Sequence, residues 1–378
     1  MSDEIKKGLL GIVVDETEVS KVMPEINSLT YRGYAAQDLC EYCRFEEVAY
    51  LILNKDLPNS IELKKFEIGQ SNPTYLMKTD NKNFVIRTKP QGELLKGAHR
   101  IDREHKVMCA LENSKIPVPK TYGYCEDIEI IGTEFYIMDF LDGNHEFDPF
   151  LAHYEVEQKK QLYNQKIDIL SELTLINIKE IGLERFGRPE GYLNRQIKLW
   201  INQYRNSQTK EIESMEYLIE NITKNIPEEI DLLPPCLLHG DYRLDNMMLN
   251  KEKVIGLLDW ELSTLAPPFI DLSYWALMLR FEKDWPIGGL GNNKKLLSNS
   301  GIPSEEKILE IYLNKTGLDK PKYWKFLLAF NSFRFAGILQ GIAKRVIDGN
   351  NAGTNGFEVG QQTEPVAMLG SQILKETF

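Results

Sequence analysis

The run His239-Gly240-Asp241-Tyr242-Arg243-Leu244-Asp245-Asn246 sets an aspartate and an asparagine five residues apart, and Asp259-Trp260-Glu261 follows shortly after. That spacing suits phosphoryl transfer, in which an Asp accepts the proton of the attacking hydroxyl and an Asn holds Mg²⁺. Such chemistry asks little covalent help of a protein. It needs a positioned hydroxyl and cations on the phosphate oxygens. Mg²⁺ prefers hard oxygen ligands, which the amide of Asn246 and the carboxylate of Asp259 supply, leaving Asp241 as the base. At average composition, a His-Gly-Asp with Asn at this spacing arises by chance in about one chain of this length per thousand. The competing reading is a surface loop with capping Asp and Asn residues; the flanking apolar runs and Asp259 weigh against it.

Those runs, at 236–238, 247–249 and 254–258, read as short strands around polar loops. They interrupt a helical half, with helix patterns at 156–179, 191–224, 270–280, 304–316, 322–347 and 359–377. Before it the texture is strand-rich. Residues 63–88 alternate, with the turn cluster Asp80-Asn81-Lys82-Asn83 between Tyr75-Leu76-Met77 and Phe84-Val85-Ile86, which predicts a hairpin. A helix is expected over 98–113, closed by Pro117 and Pro119, then strands at 121–124 and 134–140. The predicted class is α+β, a bilobal kinase-like fold with an antiparallel-sheet lobe and a mainly helical lobe. Three parts are expected: 1–62, 63–143 and 144–378.

With 378 residues, the chain is long enough for two or three cores. Lys and Arg total 45 against 56 Asp and Glu, so the net charge of −11 argues against a general nucleic-acid or anionic-membrane binder. Locally the balance reverses: from Arg87 to Lys106, six cations face three anions. Five cysteines, spread thinly, make no disulfide framework and suit a reducing cytoplasm. Cys40 and Cys43 form a C-x-x-C without a second pair or nearby His to complete a zinc set. The apolar stretch 8–14 runs into Asp15 and Glu16, a poor signal peptide, and 265–279 is broken by two prolines and Asp271. A cytoplasmic protein with no membrane partner is expected.

The motifs over 66–378 resemble the aminoglycoside phosphotransferase-type small-molecule kinases, and more closely the kinase-like domain of some acyl-CoA dehydrogenase family proteins. The matching runs include Gly69-Gln70-Ser71-Asn72-Pro73-Thr74-Tyr75, Val85-Ile86-Arg87, Arg103-Glu104, Phe135-Tyr136-Ile137-Met138 and Leu258-Asp259-Trp260-Glu261. The resemblance implies that Gly69, Gln70, Ser71 and Asn72 form the loop over the ATP phosphates. It makes Arg87 the strand cation facing them, Glu104 its helix partner, and Met138 and Phe140 part of the hinge beside adenine. No Gly-x-Gly-x-x-Gly is present, and Arg replaces the usual Lys, giving a planar fork in place of a point charge. Asp271 matches an Asp that braces the catalytic loop, and His239 is expected to orient it. Arg334 and Arg345 are candidates for an acidic or CoA phosphate group.

The first sixty residues resemble the start of citrate and 2-methylcitrate synthase, through Gly8-Leu9-Leu10-Gly11, Leu29-Thr30-Tyr31-Arg32-Gly33 and Phe45-Glu46-Glu47-Val48-Ala49-Tyr50-Leu51. That family's catalytic residues have no counterpart here. So short a piece buries little surface alone, so it must pack on the kinase-like part, pair with another chain by self-association, or stay loosely ordered. The expected activity is an ATP- and Mg²⁺-dependent phosphorylation of a small-molecule hydroxyl, with a hydroxyacyl-CoA implied by the nearest resemblance. The alternatives are an aminoglycoside, macrolide or amino-alcohol kinase, and a non-catalytic nucleotide- or partner-binding module.

Overall fold

The computed structural model describes residues 19–24, 28–57, 62–66, 72–79, 81–90, 99–291, 294–349 and 356–376. Two compact units divide it, Met1–Ile101 with Thr121–Phe140, and Asp102–Lys120 with Leu141–Phe378. The first begins with an antiparallel meander, β1 (Ser20–Met23), β2 (Ser28–Tyr31) and β3 (Tyr34–Ala35). Arg32 and Gly33 turn β2 into β3 with φ of 51° and 94°, the positive values a two-residue hairpin loop demands. Two helices follow, α1 (Ala36–Tyr42) and α2 (Phe45–Asn54). Glu47 caps α2 by accepting the Arg44 N–H at 2.7 Å, and Arg32 donates to the Ile52 carbonyl near its other end at 3.2 and 3.1 Å.

The strand-rich stretch becomes five antiparallel strands in the order β4 (Glu62–Lys65), β5 (Thr74–Lys78), β6 (Asn83–Thr88), β8 (Phe135–Asp139), β7 (Thr121–Cys125). Side chains alternate across a sheet. Met77, Phe84, Ile86, Phe135 and Ile137 therefore share one face, and α2 lies on it through Ala49, Phe45 and Leu53. Phe45 meets Phe135 edge-on, centroids 4.9 Å apart. Of the three fates open to the N-terminal segment, α2 takes packing on this sheet. The opposite face carries Leu76, Val85, Arg87, Tyr136 and Met138, with Arg87 opposite Thr74 and Tyr136, and Met138 opposite Val85.

The second unit takes nearly all of α3 (Ile101–Leu111), whose Arg103 lies 3.9 Å over the Phe186 ring and donates to the Ser263 carbonyl at 2.9 Å. A short helix, α4 (Ile128–Ile131), joins β7 to β8 in the first unit. The helical half comprises α5 (Val156–Leu175), α6 (Tyr192–Ser207), α7 (Glu213–Lys224), α8 (Ile270–Leu279), α9 (Lys294–Leu297), α10 (Glu305–Thr316), α11 (Trp324–Ile347), α12 (Gly356–Gln361) and α13 (Thr363–Lys375). Inserted among them are β9 (Asn144–His145), β10 (Cys236–Leu238), β11 (Met247–Asn250), β12 (Lys253–Leu257) and β13 (Thr264–Ala266), paired as β12-β11-β9 and β10-β13.

α11 is the axis of this unit, packed by α6, α7, α8, α12 and α13. Among the described residues it is the one helix long and apolar enough to cross a membrane, and 78% of that apolar window is buried in the protein core. Its aromatic residues Phe326, Phe330 and Phe333, at helical spacing, are core, at 2% exposure or less.

Two expected helices are each split. The 191–224 pattern breaks after Ser207, where Gln340 of α11 donates to the Ser207 carbonyl at 2.9 Å and the Thr209 hydroxyl at 3.0 Å, and Ile212 turns inward. The 359–377 pattern breaks at Gln362, because Pro365 has no N–H and its ring excludes a preceding helical turn, so a fresh helix starts just before it.

Candidate active site

The loop between β10 and β11 is held by buried groups from three directions. Asp271, on the first turn of α8 and 2% exposed, accepts the backbone N–H groups of His239 at 2.7 Å and Gly240 at 3.0 Å. Burial pushes its carboxyl up, while those two N–H groups and the charge of Arg334 work against the rise. His239 stacks against Trp260, with centroids 4.6 Å apart. Its Nδ1 accepts the Asp241 N–H at 3.3 Å, which leaves Nε2–H to donate to the Leu258 carbonyl at 2.8 Å. The expected bracing role of Asp271 and orienting role of His239 agree with these contacts.

Arg334, a candidate from the sequence for an acidic or CoA phosphate group, is instead buried on α11 at 6% exposure. It donates to the Gly240 carbonyl at 2.6 Å and lies 4.9 Å over the Tyr274 ring. An apolar helix can bury this arginine because the loop carbonyl and an aromatic face receive the charge. Arg345 remains exposed. Gly240 has φ 88°, and a Cβ there would come within 2.4 Å of the Leu262 carbonyl oxygen.

These supports aim Asp241. Its Oδ1 accepts the Tyr274 hydroxyl at 2.8 Å and its Oδ2 accepts the Asn246 amide N–H at 3.0 Å; the side chain keeps 23% exposure. Burial alone would raise its pKa. Arg243, the Tyr274 hydrogen bond, Arg334 and His239 outweigh that and hold the carboxyl below the usual range. Asn246 spends its N–H₂ on Asp241, bonding the backbone carbonyl at 2.8 Å as well, so its amide oxygen is left for another partner. The Leu258 N–H donates to the Asn246 carbonyl at 2.9 Å, which ties the residue before Asp259 to Asn246. Asp259 itself is turned by a left-handed backbone, φ 66° and ψ 58°. One amide oxygen and one carboxylate fit a Mg²⁺ that takes its remaining ligands from phosphate and water. Among the described residues no group of three His, Cys, Asp or Glu side chains gathers as a metal site.

The residues expected to meet the nucleotide lie mostly in the first unit. Gly69, Gln70 and Ser71 fall outside the described residues. Asn72 is fully buried, its Oδ1 3.1 Å from His99 Nδ1, and its carbonyl accepts the Thr74 hydroxyl at 3.0 Å. Arg87 reaches the Thr74 hydroxyl at 3.5 Å on the same sheet face as Met138, and Phe140 follows β8. Glu104 is buried on α3 in the second unit.

Sequence reasoning passed over Tyr274 and Lys166. Tyr274 sits one turn after Asp271 on α8, a spacing that could have exposed it. Lys166 is 3% exposed, its Nζ 4.5 Å from the Trp275 ring centroid and 5.4 Å from that of Tyr242. Burial pulls its pKa down to about 7, with Asp245 opposing the fall. Its signal was a lysine on the inward stripe of α5, two turns from the equally buried Lys159.

Known proteins resemble the chain over both its parts. The family described as "Phosphotransferase enzyme family" matches residues 62–292, and "Citrate synthase, C-terminal domain" matches residues 8–94. A Ralstonia eutropha protein, provisionally described as an aminoglycoside phosphotransferase, is 35% identical with a TM-score of 0.77. That match covers 87% of this chain and 97% of the other. Acyl-CoA dehydrogenase family member 11 of Pongo abelii is 34% identical over 368 residues, 96% of this chain and 45% of the relative. The chain thus spans about half the length of that relative. A thermostable variant of aminoglycoside phosphotransferase APH(4)-Ia, bound to ADP and hygromycin B, shares the fold at 11% identity and a TM-score of 0.55, covering 83% of this chain and 95% of the other.

Proposed function

The chain belongs to the phosphotransferase enzyme family, and from that premise we propose that it is a kinase moving the γ-phosphoryl group of ATP onto the hydroxyl of a small metabolite. The observation that carries the reading is the cradle of Asp241. Tyr274 and Asn246 fix one carboxylate oxygen each, at 2.8 and 3.0 Å, and the carboxyl stays ionised yet partly exposed. A carboxylate so held orients an incoming hydroxyl and takes its proton as the bond to phosphorus forms. Asn246, through its free amide oxygen, and Asp259 would hold Mg²⁺, which when bound neutralises phosphate charge. Asp271, His239 and Arg334 keep the loop from relaxing as charge moves.

The acceptor class we infer is anionic, a hydroxyacyl-CoA. Lys159 Nζ and Lys283 Nζ lie 4.0 and 5.4 Å from the Phe150 ring centroid. Among the described residues neither lysine has an ion-pair partner. Ammonium groups of this kind beside an aromatic ring suit an acyl chain carrying phosphates and repel a polycation. The matched dehydrogenase-family relative points the same way. An aminoglycoside acceptor is the second reading, favoured by the similarity to the Ralstonia protein.

The test is acceptor-dependent ADP formation from Mg-ATP over hydroxyacyl-CoAs, aminoglycosides, macrolides and amino alcohols, with Asp241→Asn in parallel. Turnover confined to the acyl-CoAs and abolished in the variant is expected. Turnover that survives Asp241→Asn would remove the base from the mechanism, and turnover on aminoglycosides alone would reverse the acceptor class.

A further inference from the structure

We infer that Arg243 is a further catalytic residue, whose guanidinium contacts the phosphoryl group in transit. The inference rests on the phosphoryl-transfer reading above. Arg243 follows the base by two residues, and its Nε stands 3.8 Å from Asp241 Oδ1. Two of its five N–H donors are spent on Asp245, from Nε to Oδ1 at 2.9 Å and from Nη2 to Oδ2. Asp245 is anchored in turn, its carbonyl 2.8 Å from His145 Nδ1 on β9. This fork-to-fork grip fixes the guanidinium plane. Nη1 has no partner among the described residues, and the side chain is 33% exposed.

A structural arginine is normally used up by its partners. Here the Nε and Nη2 edge is clamped while Nη1 is left unspent, on a guanidinium whose Nε stands 3.8 Å from the base. In the transfer, the acceptor oxygen forms a bond to the γ-phosphorus, its proton passes to Asp241, and the bond from phosphorus to the β,γ-bridging oxygen breaks to release ADP. Reacting atoms must come to roughly 3–3.5 Å. An acceptor hydrogen-bonded to Asp241 therefore brings the phosphorus, with its equatorial oxygens, within reach of a cation 3.8 Å from the same carboxylate. A pre-oriented cation at that point stabilises the charge spread over those oxygens without reorganising. Asp245 acts through Arg243 and is a positioning residue.

Arg243→Gln and Arg243→Lys separate this role from mere support of the loop. Their affinities for Mg-ADP alone, and for Mg-ADP with aluminium fluoride as a mimic of the planar phosphoryl group, are measured by calorimetry, with thermal midpoints as a folding control. Expected in Arg243→Gln is unchanged Mg-ADP affinity with the extra affinity conferred by aluminium fluoride lost, and kcat on an active acceptor lowered about 10²–10³-fold. The KM for ATP should stay within about threefold. Arg243→Lys, which keeps the charge and guards against a folding failure, should recover part of both. Full aluminium fluoride affinity or near wild-type kcat in Arg243→Gln overturns the inference, as does an Arg243→Lys protein indistinguishable from wild type. A rate retained in Asp241→Asn would instead remove Asp241 as the base, no acceptor-dependent ADP formation with any acceptor class and no Mg-ADP binding would sink the phosphoryl-transfer reading, and the aluminium fluoride titration still judges Arg243 if no acceptor is active.

Discussion

Lys166 occupies a position on α5 where a methionine would fill similar space without an ammonium group to desolvate. Its cost can be read from pH. In the unfolded chain a lysine titrates near 10.4, whereas burial brings Lys166 down to about 7. Between those values the unfolded state holds the proton and the folded state does not, so stability rises with pH across the window. Below about 7 both states are protonated and the penalty is at its full value. Lys166→Met should therefore raise stability at pH 6 by on the order of a few kcal/mol, with the gain shrinking toward pH 10. Denaturation at both pH values checks it, and a pH-independent gain would show that Lys166 is not the titrating group. The same residue marks the limit of legibility at this scale. Asp241, Asn246 and Asp259 were readable because their spacing is local to one loop and hairpin. Tyr274, Arg334 and Lys166 reach that loop from α8, α11 and α5, and a single sequence does not encode which distant side chain arrives.

Helices and strands were legible wherever periodicity ran unbroken, as in the β5–β6 hairpin, α5, α8, α10 and α11. Legibility failed where tertiary contacts ended a helix that its own sequence would continue: α6 stops where Gln340 on another helix satisfies the Ser207 carbonyl. Close helix approach is a further property that periodicity misses. Gly370 of α13 meets α11 so tightly that an added Cβ would lie 2.5 Å from the Ser332 hydroxyl and 2.6 Å from Ser332 Cβ. Replacing a helical glycine with alanine ordinarily gains roughly 0.5–1 kcal/mol. Here overpacking should reverse the sign, and Gly370→Ala is expected to cost about 1–3 kcal/mol in chemical denaturation. A stabilised variant would mean that α13 can slide away from α11, and that the axis carrying Arg334 to the loop is looser than these contacts imply.

At the scale of the whole molecule, the N-terminal segment and the five-stranded sheet fall within one compact unit. A citrate-synthase-like match at 8–94 overlaps the phosphotransferase match at 62–292, so the two resemblances share the region where β4, β5 and β6 form. The borrowed segment is joined to that sheet by more than sequence. Ala49 is 6% exposed in the cluster of Met77, Phe84, Ile86, Phe135 and Ile137, and Asn81 in the β5–β6 turn donates to the Tyr50 hydroxyl at 3.2 Å. With α2 removed, one face of a five-stranded sheet would present a contiguous apolar surface to water, the kind of patch that drives association. Two changes should then act alike. Ala49→Asp places an unpaired carboxylate in that cluster, and deletion of residues 1–57 strips the helix away. Each is expected to lower the thermal midpoint of the chain and to shift it from its starting oligomeric state toward larger species in light scattering. Because Asp241 and its supports belong to the other unit, the near-ultraviolet signature of Trp260 and Trp275 should persist in Ala49→Asp. A truncated chain with an unchanged midpoint and unchanged mass would show that the segment rides on the sheet as a passenger, leaving its apolar face free to pair with a second chain.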